Sequence, residues 1–289
     1  MIHHLLISPF SDQQMLRALV ACLALSIGFA PIGIILIMRR MSLIGDSLSH
    51  AILPGTALGY VSAGAMSVGL MTIGGIVTGL LVVFFSTLVT RNTSQKEDTS
   101  FASFYVISTA IGIILIRLKG GDEEVVHMLF GDAESIDNAT LFLVMAAASF
   151  GLTVFAIIYR PLIIECFDPV FMRVSGARGG LYHHIFLGLA VISLVAGFRA
   201  LGTLMAMGLM LLPAASARFW VNSIGKILLV SIAIAAVSSV GGLLISYYTH
   251  VPSGAAIVLV AGGFYLVSIA AGNNEGLRKK LLKSRRLHG

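Results

Sequence analysis

Long apolar stretches, separated by short polar segments, recur along the whole 289-residue chain. About 20 apolar residues span the hydrocarbon core of a bilayer, and backbone groups in lipid must be hydrogen-bonded within the protein, so each stretch predicts a transmembrane helix. The pattern predicts nine helices, or eight to ten if stretches merge or divide, over 12–38, 42–63, 66–89, 101–118, 139–159, 183–198, 201–217, 224–246 and 252–271. The expected fold is an all-α polytopic membrane protein with a single domain over 1–289.

The composition agrees with this fold class. Hydrophobic residues make up 57% of the chain and charged residues 11%, and the mean hydropathy is +0.96. Because a soluble domain has about 25% charged residues, an ordinary soluble protein is excluded. The 31 glycines suit membrane helices that pack closely against one another.

The basic residues assign an orientation to these helices. With the tail 272–289 on the cytoplasmic side, nine Lys and Arg of the loops and six of the tail, 15 of the 19, lie on that side. The positive-inside rule therefore places the C-terminus inside and, with nine spans, a short N-terminus outside. This arrangement explains the net charge of +6, so a nucleic-acid-binding surface is not needed to account for it. No nucleic acid partner is expected.

Asp46 and His50 stand out because they lie deep within one of the apolar stretches. No other ionisable residue lies more than about one turn inside a predicted span, and ionisable residues within a membrane are costly and commonly functional. Their spacing of four residues places both side chains on one face of a helix. Three interpretations remain open: a hydrogen-bonded structural pair, a proton relay, or a transient metal site completed by a second copy of the chain.

The longest predicted cytoplasmic loop, 160–182, contains a short helix start. Asp168 followed by Pro169 is typical of a helix N-cap and first helical residue, and Gly176 is placed to end that helix. Its exposed apolar side chains would be Phe167, Val170 and Phe171. Such a helix either binds a partner protein or only rests its apolar side chains among lipid headgroups.

A predicted extracytoplasmic loop, 119–138, carries six of the chain's 13 acidic residues. Its charged or titratable residues include Asp122, Glu123, Glu124, His127, Asp132 and Glu134. They could form a surface at the outer mouth that receives a cation or a cationic partner. The alternative is a solvated loop with a re-entrant segment VVHMLF. The cytoplasmic segment 91–100 is expected to be a plain connector.

Three segments resemble the permease subunits of bacterial zinc and manganese ABC importers, the ABC-3 metal permease family. MSLIGDSLSHAILPG, residues 41–55, is similar to the family signature of Met-Ser-Leu, Gly-Asp, one or two small residues, Ser-His and Leu-Pro-Gly; Ser47 stands where many members have Ala. A second stretch, RALGTLMAMGLMLLPAASAR over residues 199–218, resembles the family's Gly-Thr followed by a late Pro-Ala and small residues before a charge. FDPVFMRVSG falls where those permeases carry the coupling helix that docks on the ATPase. Hydropathy, length and topology match over nearly the whole chain.

The resemblance implies a type II importer permease in the bacterial cytoplasmic (inner) membrane. Two copies of the chain would form the pore as a homodimer, with Asp46 and His50 as metal ligands. Two separate ATPase subunits would bind the coupling loop 160–182, and an extracytoplasmic binding protein would deliver the cation. The chain has no G-x-x-x-x-G-K-[ST] loop, so ATP hydrolysis is expected on the other subunits rather than here. No permanently bound cofactor is expected.

The residues favour zinc as the transported metal, with manganese close behind and ferrous iron possible by the same chemistry. A site of two Asp and two His offers oxygen and nitrogen ligands without thiolate, and affinity at a fixed site rises from manganese towards zinc. Selectivity is then expected to reside mainly in the delivering protein. The competing interpretations are a proton-coupled secondary transporter and an intramembrane enzyme with an Asp46–His50 acid–base pair. The enzyme is disfavoured because the chain has neither H-E-x-x-H nor G-x-S-x-G.

Overall fold

The computed structural model describes residues 12–63, 67–118, 136–176 and 179–274, and all regular structure within them is α-helical. The helices in chain order are α1 Gln13–Met38, α2 Ser42–Ala51, α3 Leu53–Ala63, α4 Val68–Asn92, α5 Glu97–Leu118, α6 Asn138–Phe167, α7 Pro169–Val174, α8 Gly179–Leu201, α9 Thr203–Arg218, α10 Ile224–Thr249 and α11 Ser253–Ala271. The prediction of an all-helical membrane protein is confirmed for this part of the chain. The basic tail from residue 275 onwards lies outside the described residues.

Seven of the described helices are long and apolar enough to cross a membrane, namely α1, α4, α5, α6, α8, α10 and α11. The remaining two predicted spans correspond to shorter helices. The span expected over 42–63 is divided between α2 and α3, and the span expected over 201–217 is the 16-residue helix α9. The structure thus places helices at every predicted span, but it does not reproduce nine uninterrupted ones.

The centre of the bundle is built from α1 and α8. In the most apolar 18-residue stretch of each, 72% of the residues are buried, so these two are the most enclosed of the seven long helices. Phe29 of α1 and Phe186 of α8 are completely buried in the same hydrophobic cluster. Helices α6, α9 and α10 pack around α1, and α4, α6 and α9 pack against α8. Helix α2 packs against α1, α8 and α9 of this core. Helix α5 packs against part of the opposite side of α2.

A tight corner joins α1 to α2 at the predicted cytoplasmic surface. Arg40 adopts the left-handed backbone conformation, with φ of 58°, and the N–H of Met41 donates to the carbonyl of Leu36 at 2.8 Å. This is the usual way for a helix to end with its last carbonyl groups hydrogen-bonded, although glycine is the commonest residue at such a position. The chain therefore turns back at once, and α2 re-enters the bundle.

The cytoplasmic loop predicted over 160–182 is shorter than the sequence indicated. Helix α6 continues through Pro161 to Phe167, and α8 already begins at Gly179. The predicted span ended at residue 159, but Leu162 is completely buried and Ile158 nearly so. Apolar packing on this face outweighs the hydrogen bond that Pro161 cannot donate.

The other end of α6 is capped by Asp137. Its carboxylate accepts a hydrogen bond from the N–H of Thr140 at 2.8 Å, in the manner of a helix N-cap. Hydrogen bonds from the side chain and then the backbone of Thr140 hold the pKa of Asp137 below its ordinary value.

Candidate metal site on the divided second span

The break between α2 and α3 exposes backbone carbonyl groups within the bundle. Pro54 has no N–H to donate to the carbonyl of His50, so the helix cannot continue regularly through this point. The freed carbonyls accept hydrogen bonds from neighbouring helices: Ser108 donates to Ala51 at 2.7 Å, and Thr109 donates to His50 at 3.4 Å. These hydroxyl groups of α5 fix the divided helix in place. The sequence did not reveal them, because they belong to a different span.

Asp46 and His50 project from the same face of α2, as the spacing predicted. Their side chains are 55% and 42% exposed in the single chain, whereas Ile44 and Leu48 on the opposite face are buried. The distance from His50 Nε2 to Asp46 Oδ1 is 3.9 Å, beyond the range of a hydrogen bond. The two groups are therefore close enough to share a ligand or to attract each other as an ion pair.

The helical rise gives the depth of these residues. At 1.5 Å per residue, Asp46 lies about 6 Å and His50 about 12 Å along the axis from Ser42, the first residue of α2. The pair thus begins near the predicted cytoplasmic end of the span and reaches towards its middle. A cation held by both groups would lie partway through a hydrocarbon core about 30 Å thick.

A pocket of about 170 Å³ opens beside Asp46, between α2 and the first turns of α5. The residues that line it are Leu43, Ile44, Asp46, Ser47, Asp98, Ala102 and Tyr105. Asp98 was expected to lie in a plain connector, but α5 begins at Glu97 and carries Asp98 into the wall of the pocket. The available sequence signal was the Glu-Asp pair, since acidic residues are favoured in the first turn of a helix.

An aromatic ring from α5 lies next to His50. The ring centroids of His50 and Tyr105 are 6.1 Å apart, with the planes inclined by 33°. Tyr105 also lines the pocket beside Asp46, so one side chain borders both candidate ligands.

A single chain offers an incomplete metal site. Carboxylate oxygen and imidazole nitrogen suit zinc, manganese and ferrous iron. No group of three or more His, Cys, Asp or Glu side chains that could hold a metal occurs among the described residues. Two ligands on an exposed helix face can therefore form a metal site only with groups from elsewhere, such as a second copy or water.

The predicted coupling residues form a short helix at the end of α6. Asp168 accepts a hydrogen bond from the N–H of Phe171 at 2.8 Å, and Pro169 is the first residue of α7. Gly176, with φ of 71°, follows the end of this helix. The three apolar side chains expected to be exposed do project outwards, with Phe167 69% exposed, Val170 64% and Phe171 57%, and Val174 joins them at 82%. The site thus presents an apolar surface on a capped helix, which suits protein docking or headgroup contact.

The acidic residues predicted at the outer mouth lie outside the described residues. They are Asp122, Glu123, Glu124, Asp132 and Glu134, and His127 of the same loop also lies outside them. Their arrangement at the outer mouth stays a prediction.

The model of the ABC 3 transport family matches residues 11–272. The manganese import system permease protein ScaB of Streptococcus parasanguinis is 31% identical over 268 residues, covering 93% of this chain and 94% of that protein. The chelated iron transport system membrane protein YfeD of Yersinia pestis is 28% identical over 269 residues, covering 93% and 89%.

A solved structure shows the same fold over nearly the full length. It is PsaBC from Streptococcus pneumoniae in complex with Fab, which superposes with a TM-score of 0.85 at 30% sequence identity. The match covers 98% of this chain and 100% of that one.

Proposed function

This chain belongs to the ABC 3 transport family, and from that premise we propose that it is the membrane-spanning permease subunit of an ATP-driven divalent metal importer. The observation that carries the proposal is the pair Asp46 and His50, which shares one exposed helix face beside a pocket. Groups of this chemistry within a membrane are retained where they contact an ion or a proton. A metal importer gives both residues a direct role.

The proposed pore is a homodimer in the bacterial cytoplasmic membrane. The face of α2 that carries Asp46 and His50 also exposes Leu43 to 70%, so the single chain leaves this face open. A two-fold axis beside it would bring two carboxylates and two imidazoles together, which is enough for one divalent cation. The negative charge of the two carboxylates would offset the cost of removing the cation from water.

Manganese is the first candidate for the transported metal. Relatives named as manganese permeases support it, and a relative named for chelated iron transport extends the range to iron. Zinc, which the sequence analysis favoured, stays a prediction. A site of oxygen and nitrogen ligands without thiolate binds all of these ions, and a conducting site must bind weakly enough to release them.

The partners follow from the same role. Two ATP-hydrolysing subunits would bind the apolar surface formed by Phe167, Val170 and Phe171 and push on α7. An extracytoplasmic binding protein would deliver the metal to the outer mouth, where the acidic loop residues would face it. This chain would contribute the metal pathway and the surface that receives the mechanical force. It would carry out no covalent chemistry.

Reconstitution tests this proposal directly. The chain is incorporated into liposomes with its candidate ATPase and binding protein, and uptake of manganese, zinc and iron(II) is measured with and without ATP. We expect ATP-dependent uptake of manganese. Uptake that proceeds without the ATPase but depends on a proton gradient would instead identify a secondary transporter.

Two matched assays show whether the pore or the delivering binding protein selects the metal. Each metal is offered with the binding protein and then without it. We expect the pore without its binding protein to admit several first-row dications slowly, because its ligands discriminate weakly among them. Admission of manganese with rejection of zinc under those conditions would place selectivity in the geometry around Asp46 and His50.

A further inference from the structure

A cluster of three charged side chains and one histidine joins the predicted cytoplasmic ends of four helices. Arg39 follows α1, Glu97 begins α5, Glu165 lies near the end of α6, and His183 lies near the start of α8. None of these side chains is more than 29% exposed, and those of Arg39 and His183 are each 12% exposed. We name this group the four-helix charge cluster.

Arg39 occupies the centre of the cluster. Its Nη2 lies 3.3 Å from Oε2 of Glu165, and its Nε donates a hydrogen bond to the sulfur of Cys166 at 3.2 Å. Its Nη1 contacts Nδ1 of His183. The guanidinium group thereby holds the end of α6 and the start of α8 together.

His183 extends the cluster to α5. Arginine can only donate hydrogen bonds, so Nδ1 of His183 must be the acceptor in its contact with Arg39. The ring proton then resides on Nε2, which lies 2.6 Å from Oε1 of Glu97. The resulting chain runs from Glu165 through Arg39 and His183 to Glu97, with each polar group facing a complementary one.

Such a cluster is poorly explained by stability alone. Removing charges from water is costly, and a buried ion pair is often no more stabilising than apolar packing of the same volume. Within the described part of the chain, neither Nη2 of Arg39 nor Oε2 of Glu165 makes a hydrogen bond with acceptable angles, although the two atoms face each other. The Arg39–Glu165 contact is therefore held by charge rather than by a well-formed hydrogen bond, which suits a contact that must separate.

Along the chain, the cluster is close to α7 on one side and to the pocket beside Asp46 on the other. Glu165 precedes α7 by four residues, so displacement of α7 pulls directly on the Arg39–Glu165 pair. On the other side, Arg39 leads into α2, which carries Asp46, and Glu97 is adjacent to Asp98 in the pocket wall. Both walls of the pocket are thus linked to the segment that the ATPase is proposed to move.

We propose that the four-helix charge cluster transmits movement of α7 to the metal pocket, by separating Arg39 from Glu165 and so releasing α2 and α5 from the ends of α6 and α8. This inference rests on the proposed function, since it needs an ATPase that moves α7. Arg39, Glu97, Glu165 and His183 are positioning residues, which act on the cation through the helices that they hold.

The native thiol of Cys166 reports on the cluster without any mutation. Its sulfur accepts the hydrogen bond from Arg39, and it lies next to Glu165. The other cysteine, Cys22, is completely buried, so it provides an internal unreactive control. The assembled permease–ATPase complex is treated with a maleimide in the resting state and again when trapped with ATP and vanadate. We expect several-fold faster labelling of Cys166 in the trapped state.

The same experiment separates failure of this inference from failure of the proposed function. If the complex assembles, hydrolyses ATP and imports metal, yet Cys166 labels at the same rate in both states, the charge cluster does not separate and the inference is wrong. If no ATPase associates with the chain, the proposed function itself is wrong.

Variants of His183 provide a second test. His183→Gln keeps one acceptor and one donor, so it should preserve the link from Arg39 to Glu97, whereas His183→Leu removes both. We expect His183→Leu to raise the number of ATP molecules hydrolysed per metal ion imported, and His183→Gln to restore the wild-type ratio. A purely structural role would lower assembly, hydrolysis and import together and leave the ratio unchanged, which would contradict the inference.

His184 supplies the matched control for these variants. Its ring lies edge-on to that of His183, with the centroids 5.8 Å apart, but its hydrogen bond goes to the carbonyl of Gly180 within its own helix rather than to the charge cluster. His184→Leu should therefore leave the ratio of hydrolysis to import unchanged. An equal change in this variant would show that the effect of His183→Leu is not specific to the cluster.

Discussion

Asp46 and His50 combine two properties that a structural pair does not need. They share a helix face and lie close together, yet at 3.9 Å they do not form a hydrogen bond with each other. Both side chains are partly exposed on the face that the single chain leaves open. This geometry leaves the carboxylate and imidazole lone pairs available to a cation, as the proposed metal site requires.

Removal of either group should abolish metal uptake without preventing assembly. We expect Asp46→Asn and His50→Ala to reduce ATP-dependent uptake to background, because His50→Ala leaves the symmetric site two ligands short and Asp46→Asn leaves it two negative charges short. Asp46→Asn keeps the size of the side chain but removes the charge that compensates the dication. Asp12→Asn is the matched control, since Asn also caps a helix and Asp12 lies at the start of α1. Wild-type uptake by both pore variants would exclude these residues from the pathway.

The residues of this site differ in how far the sequence could identify them. Asp46 and His50 were recognisable because two ionisable groups in an apolar stretch are unusual wherever the helix packs. Asp98, Ser108 and Thr109 were not, because their roles arise from contacts between spans distant in sequence. Serine and threonine are common in membrane helices, so nothing in the local sequence marks the ones that donate to the carbonyls at the break.

At the scale of the helices, the break between α2 and α3 is the feature on which the site depends. It is held by hydroxyl groups of α5 that donate to the carbonyls left free near Pro54. The break falls at Ile52, just before Pro54 and Gly55. The interruption was predictable from proline chemistry, whereas the means of satisfying its carbonyls was not.

Loss of one of these hydroxyl groups should destabilise the protein measurably. We expect Ser108→Ala to lower the free energy of unfolding by about 1 kcal/mol, since it leaves the carbonyl of Ala51 without its donor. Ser103→Ala is the control, because exposed Ser103 donates to Thr99 within its own helix. Thermal unfolding in detergent measures both. Equal stability of the two variants would show that the hydroxyl of Ser108 does not support the break.

The apolar surface on and beside α7 should be required for ATPase docking. We expect the double variant Phe167→Ala and Phe171→Ala to weaken copurification with the ATPase, because it removes two large exposed side chains from the proposed contact. Val170→Pro should have a similar effect. Phe142→Ala is the control, as Phe142 is 71% exposed on α6 far along the chain from α7. Normal docking and normal uptake in the double variant would favour a plain interfacial connector.

At the scale of the whole molecule, the open face of α2 defines the expected arrangement of two copies. Core packing engages α2 through α1, α8 and α9, and α5 covers part of its remaining surface. Leu43, Asp46 and His50 stay accessible beside that cover. A second copy placed there would complete the proposed metal site and would cover exposed polar groups that otherwise face lipid.

Cross-linking can test this dimer directly. In a Cys166→Ser background, we expect Leu43→Cys to form a disulfide between copies upon mild oxidation, because residue 43 would lie near the two-fold axis. Leu229→Cys is the control: Leu229 is similarly exposed, at 69%, but belongs to α10, which packs against α1, α9 and α11. Cross-linking through residue 229 but not through residue 43 would place the interface on another face.

The central claim is that two copies hold one transported cation between their Asp46 and His50 side chains. Its most direct test is an equilibrium titration of the permease–ATPase complex with Mn²⁺, in which electron paramagnetic resonance measures the free ion. We predict one Mn²⁺ bound per two permease chains, and loss of that binding in both Asp46→Asn and His50→Ala. Retention of the same stoichiometry and affinity in these variants would contradict the claim, because the cation would then be held by other groups.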